Sequence, residues 1–289
     1  MSHARLVPAA IAVSLLLTLA GCGGSDGGSG AATSTTVAQK ATTTTAAVAK
    51  KLTILVSNDD GYGSEGIDTL VAGLQTLDAV EISVVAPLGQ RSGTGGKKTD
   101  GNVAVTDVKL AGGYPAQAVD GFPADTIRVA VDEQGMKPDL VISGINEGQN
   151  LGPLIDYSGT VGAARAAVAR GIPALAASQG AGTPLDYKAA VPLIVAWVTE
   201  HRAALLAGDE PVAVTNLNIP SCATGKIRGL VELEPDSDGD PAEALARHDC
   251  ASTAKLDEAA GDITAFNIGY ATISVISGQA RGLLGSPPI

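Results

Sequence analysis

From residue 51 to residue 216, short apolar, β-branched runs alternate with stretches whose apolar positions recur at helical spacing. Leu52–Ser57 predicts a buried strand, and Ile67, Leu70, Val71, Leu74 and Leu77 then line one helix face. Val80–Ala86 predicts a second strand, stopped by Pro87, and Val103–Val108 a third. Ala124–Val131 reads as a helix with Pro123 near its start, and Leu140–Ser143 as the next strand. An Ala-rich helix over Thr160–Arg170, a strand at Ala174–Ala177, an amphipathic helix over Tyr187–His201 and a strand at Val212–Asn216 complete the series. This alternation predicts an α/β fold on a doubly wound, mostly parallel sheet of the Rossmann-like kind. Beyond about residue 217 the pattern weakens; Asp236–Asp240 is acidic and turn-rich. Ile263–Ile268 and Ala271–Ile276 predict two closing strands, a small C-terminal β appendage.

The first 50 residues follow neither period. Arg5 precedes an apolar run from Pro8 to Ala20, which ends in Leu19-Ala20-Gly21-Cys22. The ending resembles the lipobox of bacterial lipoproteins, so residues 1–22 read as a signal peptide with Cys22 as the lipidated residue. An ordinary signal peptide or a short anchor is the competing reading, although the run is short for a spanning helix. Residues 23–50, mostly Gly, Ser, Thr and Ala, cannot offset their ordering entropy and read as a flexible linker to a domain at 51–289. The expectation is an exported lipoprotein held by lipid on the outer side of a membrane, at the cell surface or in the periplasm. In that disulfide-permissive setting Cys222 and Cys250 are natural partners.

Composition narrows the function. With 45% apolar and 17% charged residues the chain is no disordered polyelectrolyte. Its net charge of −11 and the lack of a Lys/Arg cluster exclude a nucleic-acid polymer as partner. The three histidines, His3, His201 and His248, and the three cysteines are too scattered for a His- or Cys-based metal site.

Ligands of open α/β sheets bind beyond the carboxyl ends of the strands, and here those ends are polar. The first strand runs into Ser57-Asn58-Asp59-Asp60-Gly61, the second into Gln90-Arg91-Ser92, and the strand at Leu140–Ser143 into Asn146 and Asn150. Gly61-Tyr-Gly63-Ser-Glu-Gly66 spells the G-x-G-x-x-G of a dinucleotide loop, but Asp59 and Asp60 at its mouth would repel a pyrophosphate. The second strand also ends in Ala86-Pro87, where an acidic ribose ligand is needed. Adjacent carboxylates resist joint ionisation unless a cation compensates them, and Asp and Asn oxygens suit a hard divalent ion. Taken alone, Asp59-Asp60-Gly61 is more often only a turn; Ser92 and Asn146 at the same sheet edge favour the ion. Ser158 and Thr160 suit a phosphate or an N-cap alike.

Together these segments resemble the SurE-like 5′/3′-nucleotidases (survival protein E). The family's opening S-N-D-D-G with a following G-I stands as Ser57–Gly61 and Gly66-Ile67. Its V-V-A-P and R-S-G stand as Val84–Pro87 and Arg91–Gly93. Its P-D-L-V-I-S-G-I-N-x-G-x-N-L-G runs from Pro138 to Gly152, followed by Y-S-G-T-V at Tyr157–Val161 and G-I-P-A-L-A-x-S at Gly171–Ser178. The resemblance implies a metal-dependent phosphomonoesterase for nucleoside monophosphates or other small phosphomonoesters. It implies one divalent ion, Mg²⁺ or Mn²⁺, on Asp59, Asp60, Ser92 and Asn146, with Asp59 and Asp60 as the catalytic pair. Asn58, Asn150, Ser158, Gly159 and Thr160 are assigned to the substrate phosphate.

Two departures stand out. The helix after Y-S-G-T-V reads Ala163-Ala-Arg165-Ala-Ala167, where the family often has a Glu. The segments that mediate subunit exchange in the family look shortened, which leaves a homo-oligomer open. A second reading follows from them: a tethered binding module that captures a phosphorylated ligand or metal without turnover.

Overall fold

A computed structural model describes Arg5–Leu6 and residues 50–281. Cys22, the linker and nearly all of the predicted signal peptide lie outside the described residues. The described chain builds one sheet in the order β1-β9-β10-β8-β7-β6-β2-β3-β5-β4. Its parallel centre is β8 (Val214–Ile219), β7 (Ala174–Gln179), β6 (Leu140–Glu147), β2 (Leu52–Ser57), β3 (Val80–Pro87) and β5 (Pro115–Val119). One edge is closed antiparallel by β4 (Val105–Lys109). On the other side lie β10 (Ala271–Ile276), β9 (Leu230–Glu232) and the two-residue β1 (Arg5–Leu6).

Two apolar layers sandwich the sheet because its central strands are apolar on both faces. On one side Ile54, Val56 and Ile142 pack against α1 (Glu65–Leu74) and α4 (Tyr187–Ala207). On the other, Leu55, Val85 and Val141 meet α2 (Pro123–Ile127) and α3 (Gly159–Val168). This is the doubly wound, mostly parallel architecture expected. Trp197 lies in the first of these cores, as its place on the α4 stripe predicts.

The differences lie at margins where the periodicity is weak. Ile263–Ile268 does not form a strand: Asp262–Asn267 is the helix α5, which buries Ile263 and Phe266, three residues apart, against Leu151 and Ala244. A three-residue interval places both on one helix face, whereas in a strand they would point to opposite faces. The closing strand β10 is no separate appendage, since it joins the main sheet between β9 and β8. The Pro- and Ala-containing β5 carries little β propensity and escapes the sequence pattern. Helix α4 runs past His201 to Ala207 and stops at Gly208, where φ is +76°. His201 is therefore not a helix-terminal residue; it stacks on Trp197 at 4.2 Å and its Nδ1 lies 2.8 Å from Glu210 Oε1. Cys222 and Cys250 form the expected disulfide, with 5.6 Å between their Cα atoms.

Candidate active site

The carboxyl edge of β2, β3 and β6, with the start of α3, gathers the polar residues singled out in the sequence. The loop after β2 is shaped by Asn58, whose Nδ2 donates to Gly61 O at 3.0 Å and Ser64 Oγ at 2.9 Å while Oδ1 accepts from Gly61 N. Helix α1 then starts hard against β6: a Cβ on Gly66 would overlap the carbonyl oxygen of Ile145, next to Asn146. Only glycine allows that approach.

Asp59 is 2% exposed. Its Oδ1 accepts a hydrogen bond from Thr160 Oγ1 at 2.5 Å, and the α3 backbone comes so close that a Cβ on Gly159 would lie 2.8 Å from Oδ2. Burial pushes the Asp59 carboxyl up to about 6; the Thr160 hydroxyl opposes that rise, the neighbouring Asp60 charge adds to it, and the backbone N–H groups of Asp59 and Thr160 pull it down slightly.

Asp60 is partly exposed and held from two sides. Gln90 Nε2 donates to its Oδ1 at 2.9 Å, and the backbone N–H of Glu147 donates to Oδ2 at 3.0 Å. Ser92 Oγ donates to Gln90 Oε1 at 2.9 Å, and Arg91 N donates to the Asp59 carbonyl at 2.7 Å. Asn146, at the end of β6, is 6% exposed and spends Nδ2 on Gly148 O at 2.6 Å. Its Oδ1 is buried without a hydrogen-bond partner. An orphaned buried acceptor costs about 1–3 kcal/mol, a cost a bound cation removes.

The edge thus combines two adjacent carboxylates, a hydroxyl with free lone pairs and an unpaired amide oxygen. All are hard oxygen donors of the type Mg²⁺ or Mn²⁺ takes. Among the described residues no group of three or more His, Cys, Asp and Glu side chains is placed to hold a metal. A cation at this edge therefore needs the neutral Ser92 and Asn146 oxygens as well as the carboxylates.

Several side chains assigned to phosphate have other tasks. Asn58 is 0% exposed and spends its amide inside its own loop. Asn150 ties the loop after β6 to β7 and β8: its Nδ2 donates to Ser178 Oγ at 2.9 Å, and its carbonyl accepts from Asn216 and Asn218. The Thr160 hydroxyl is committed to Asp59, and Ser158 caps α3 by accepting from Val161 N at 3.2 Å. Both readings of Ser158 use one geometry, and the N-cap is the bond present. Gly159 keeps its backbone N–H in the first turn of α3, where no intrahelical partner exists. Arg91 is turned away, with Nε on Gly121 O at 3.1 Å and Nη2 3.3 Å from Asp120. Sequence reasoning passed over Gln90 as a site residue; an exposed loop glutamine between Gly89 and Arg91 carries no pattern that marks it.

The chain as a whole is similar to known proteins. Residues 54–234 match the family model described as "Survival protein SurE". The chain is 40% identical over 187 residues to the 5′-nucleotidase SurE of Brevibacillus brevis, covering 62% of this chain and 71% of that protein. It is 39% identical over 180 residues to the 5′-nucleotidase SurE of Sorangium cellulosum, covering 61% of this chain and 67% of that one. The crystal structure of the SurE protein from Aquifex aeolicus superposes with a TM-score of 0.62 at 28% identity, over 79% of this chain and 94% of that one.

Proposed function

The chain belongs to the survival protein SurE family, and from that premise we propose that its carboxyl-edge site hydrolyses nucleoside monophosphates with one divalent ion, Mg²⁺ or Mn²⁺, on Asp59, Asp60, Ser92 and Asn146. The chain is a nucleotidase, a phosphomonoester hydrolase, in line with its 5′-nucleotidase relatives. The observation that carries the site reading is the pairing of a buried Asp59 beside Asp60 with the unpartnered Oδ1 of Asn146.

When bound, the ion supplies Lewis-acid polarisation of a phosphoryl oxygen and lowers the pKa of the attacking water. The residues of the chain do the rest. Gly159 offers its first-turn N–H to a phosphate oxygen, with the α3 dipole behind it. Asp60, braced by Gln90 and Glu147 N, presents its carboxylate at the mouth of the site. Asp59 Oδ2, the oxygen that Thr160 leaves free, accepts the proton given up by water. Water adds its oxygen to phosphorus, the bond from phosphorus to the ribose oxygen breaks, and that oxygen takes up one proton as the nucleoside alcohol while Asp59 gives back the one it accepted, so that no net proton is consumed. The products are a nucleoside and inorganic phosphate.

The test uses the full chain with AMP, GMP and p-nitrophenyl phosphate, in Mn²⁺ or EDTA. Phosphate release with Mn²⁺ and none with EDTA is expected. Release indifferent to chelator sinks the metal reading, and no release with any substrate or metal restores the tethered binding module. The nucleotidase relatives and the two-carboxylate donor set favour the enzyme.

The location is a second proposal: export, with lipid on Cys22 holding the enzyme on the outer side of a membrane. Leu19-Ala20-Gly21-Cys22 supports it, and the Cys222–Cys250 disulfide fits an oxidising compartment. Cys22→Ser should move the protein into the aqueous fraction or block its maturation; unchanged membrane partition sinks the anchor.

A further inference from the structure

We infer that Gln90 is the positioning residue that sets Ser92 and Asp60 for the cation, through one carboxamide shared between them. The inference rests on the ligand reading of those two residues. Gln90 Oε1 accepts from three donors, Arg91 N at 2.9 Å, Ser92 N at 3.0 Å and Ser92 Oγ at 2.9 Å. Its Nε2 donates to Asp60 Oδ1 at 2.9 Å. Two of those donors are backbone N–H groups that cannot reverse, and the group opposite is a carboxylate that only accepts. The carboxamide therefore has one orientation: flipped, it would set N–H against N–H and oxygen against carboxylate.

This orientation has a consequence at each ligand. A serine hydroxyl has one hydrogen and two lone pairs. Spending the hydrogen on Gln90 turns both lone pairs of Ser92 away from the glutamine, which is the state a cation needs. At Asp60 the amide stabilises the carboxylate without adding charge, so the residue is held still but keeps its full attraction for a cation. Without Gln90 the exposed Ser92 hydroxyl rotates freely, and the cation must order it on binding. Groups that orient ligands in this way are worth about ten- to a hundredfold in metal affinity. Gln90 is itself exposed, so its removal leaves the cores intact.

The experiment measures Mn²⁺ affinity of the full chain from the EPR signal of free Mn²⁺, together with the melting temperature without metal. It compares the parent with Gln90→Met, Ser92→Ala and the double variant. Methionine keeps the length and removes both hydrogen-bonding ends. Gln90→Met should bind Mn²⁺ about tenfold more weakly while its metal-free melting temperature stays within about 2 °C. In the Ser92→Ala background the same change should cost about threefold or less, because the shared hydroxyl is gone. Unchanged Mn²⁺ affinity in Gln90→Met, with Ser92→Ala weakened, overturns the role of Gln90 and spares the ligand reading. An equal loss in both backgrounds shows that Gln90 does not act through Ser92 and also overturns it. If Ser92→Ala binds Mn²⁺ like the parent, the ligand reading of Ser92 fails and this inference goes with it.

Discussion

Asp59 and Asp125 are both closed off from solvent, and they keep different company. Asp125, in the first turn of α2, accepts from Thr99 Oγ1 at 2.7 Å, Phe122 N at 2.9 Å and Thr99 N, and it faces Arg128 at 3.4 Å. Asp59 has the Thr160 hydroxyl, weaker help from two backbone N–H groups and a second carboxylate next door. Where the fold spends donors on a buried charge, the charge holds the fold together. Where it withholds them, burial raises the cost of ionisation, and the carboxylate is left for a partner that the chain itself does not supply.

The largest effect should come from neutralising the underpaired carboxylate. Its rise from 3.8 to about 6 corresponds to about 3 kcal/mol. Because the folded-state value lies above the unfolded one, the protonated form stabilises the metal-free fold below pH ~4, and that contribution is lost as pH rises through ~6. Asp59→Asn keeps an acceptor for Thr160 and removes the titration. Metal-free melting curves should therefore coincide for parent and variant near pH 4, and the variant should be the more stable above pH 6. A gap that is widest at low pH would show that Asp59 is stabilised as an anion, like Asp125, and would erase the contrast.

Next in size, Asp60→Asn should lower kcat/KM with Mn²⁺ by at least about a hundredfold, or ~2.7 kcal/mol, and shrink the metal-induced rise in melting temperature. If kcat per folded molecule survives while metal-free stability drops sharply, Asp59-Asp60 is a structural turn. Asp125→Asn should do the reverse. Whichever way its amide turns, an NH₂ meets donors that the carboxylate satisfied, at a cost of about 2 kcal/mol in urea unfolding, with the Mn²⁺ response intact. Asn146→Ala should be the mildest, about a tenfold fall in kcat/KM, since it removes a neutral oxygen and also relieves an orphaned one. Full activity in Asn146→Ala would remove it from the site.

The gathering of Asp59, Asp60, Ser92 and Asn146 at one edge was legible in the sequence, because it is written in short contiguous motifs; the contrast with Asp125 was not, since its donors Thr99 and Phe122 carry no motif. Asp59-Asp60 and Ser92 lie in the loops that follow β2 and β3, Asn146 stands at the end of β6, each of these strands is marked by its apolar run, and a parallel sheet brings such ends to one edge. The division of labour among the remaining polar residues was not legible. Asn58, Asn150 and Thr160 stand in the same motifs as the proposed ligands, and which of their atoms point into the loops and which outward is decided by three-dimensional closure, such as the Thr160 bond to a residue 101 positions away. Gln90 was missed because the role proposed for it lies wholly in its contacts with Asp60 and Ser92. At the C-terminal end, the helical interval of Ile263 and Phe266 is too short a pattern to outweigh the β-rich run in which it is embedded.

The position of β10 bears on how the molecule comes together in time. It is the last of the described strands in the chain, yet it is inserted between β8 and β9 rather than laid on the outside. Until residues 271–276 arrive, β8 has one open edge along Val214–Ile219, a run that includes the buried Leu217 and Ile219. An open apolar edge is a template for pairing with other chains. A growing or truncated chain that ends before residue 271 should therefore be prone to aggregate even though the whole of the edge from Asp59 to Thr160 is already in place. Completion of the proposed catalytic edge, whose last member is Thr160, and solubility of the sheet are separate events, about 110 residues of synthesis apart.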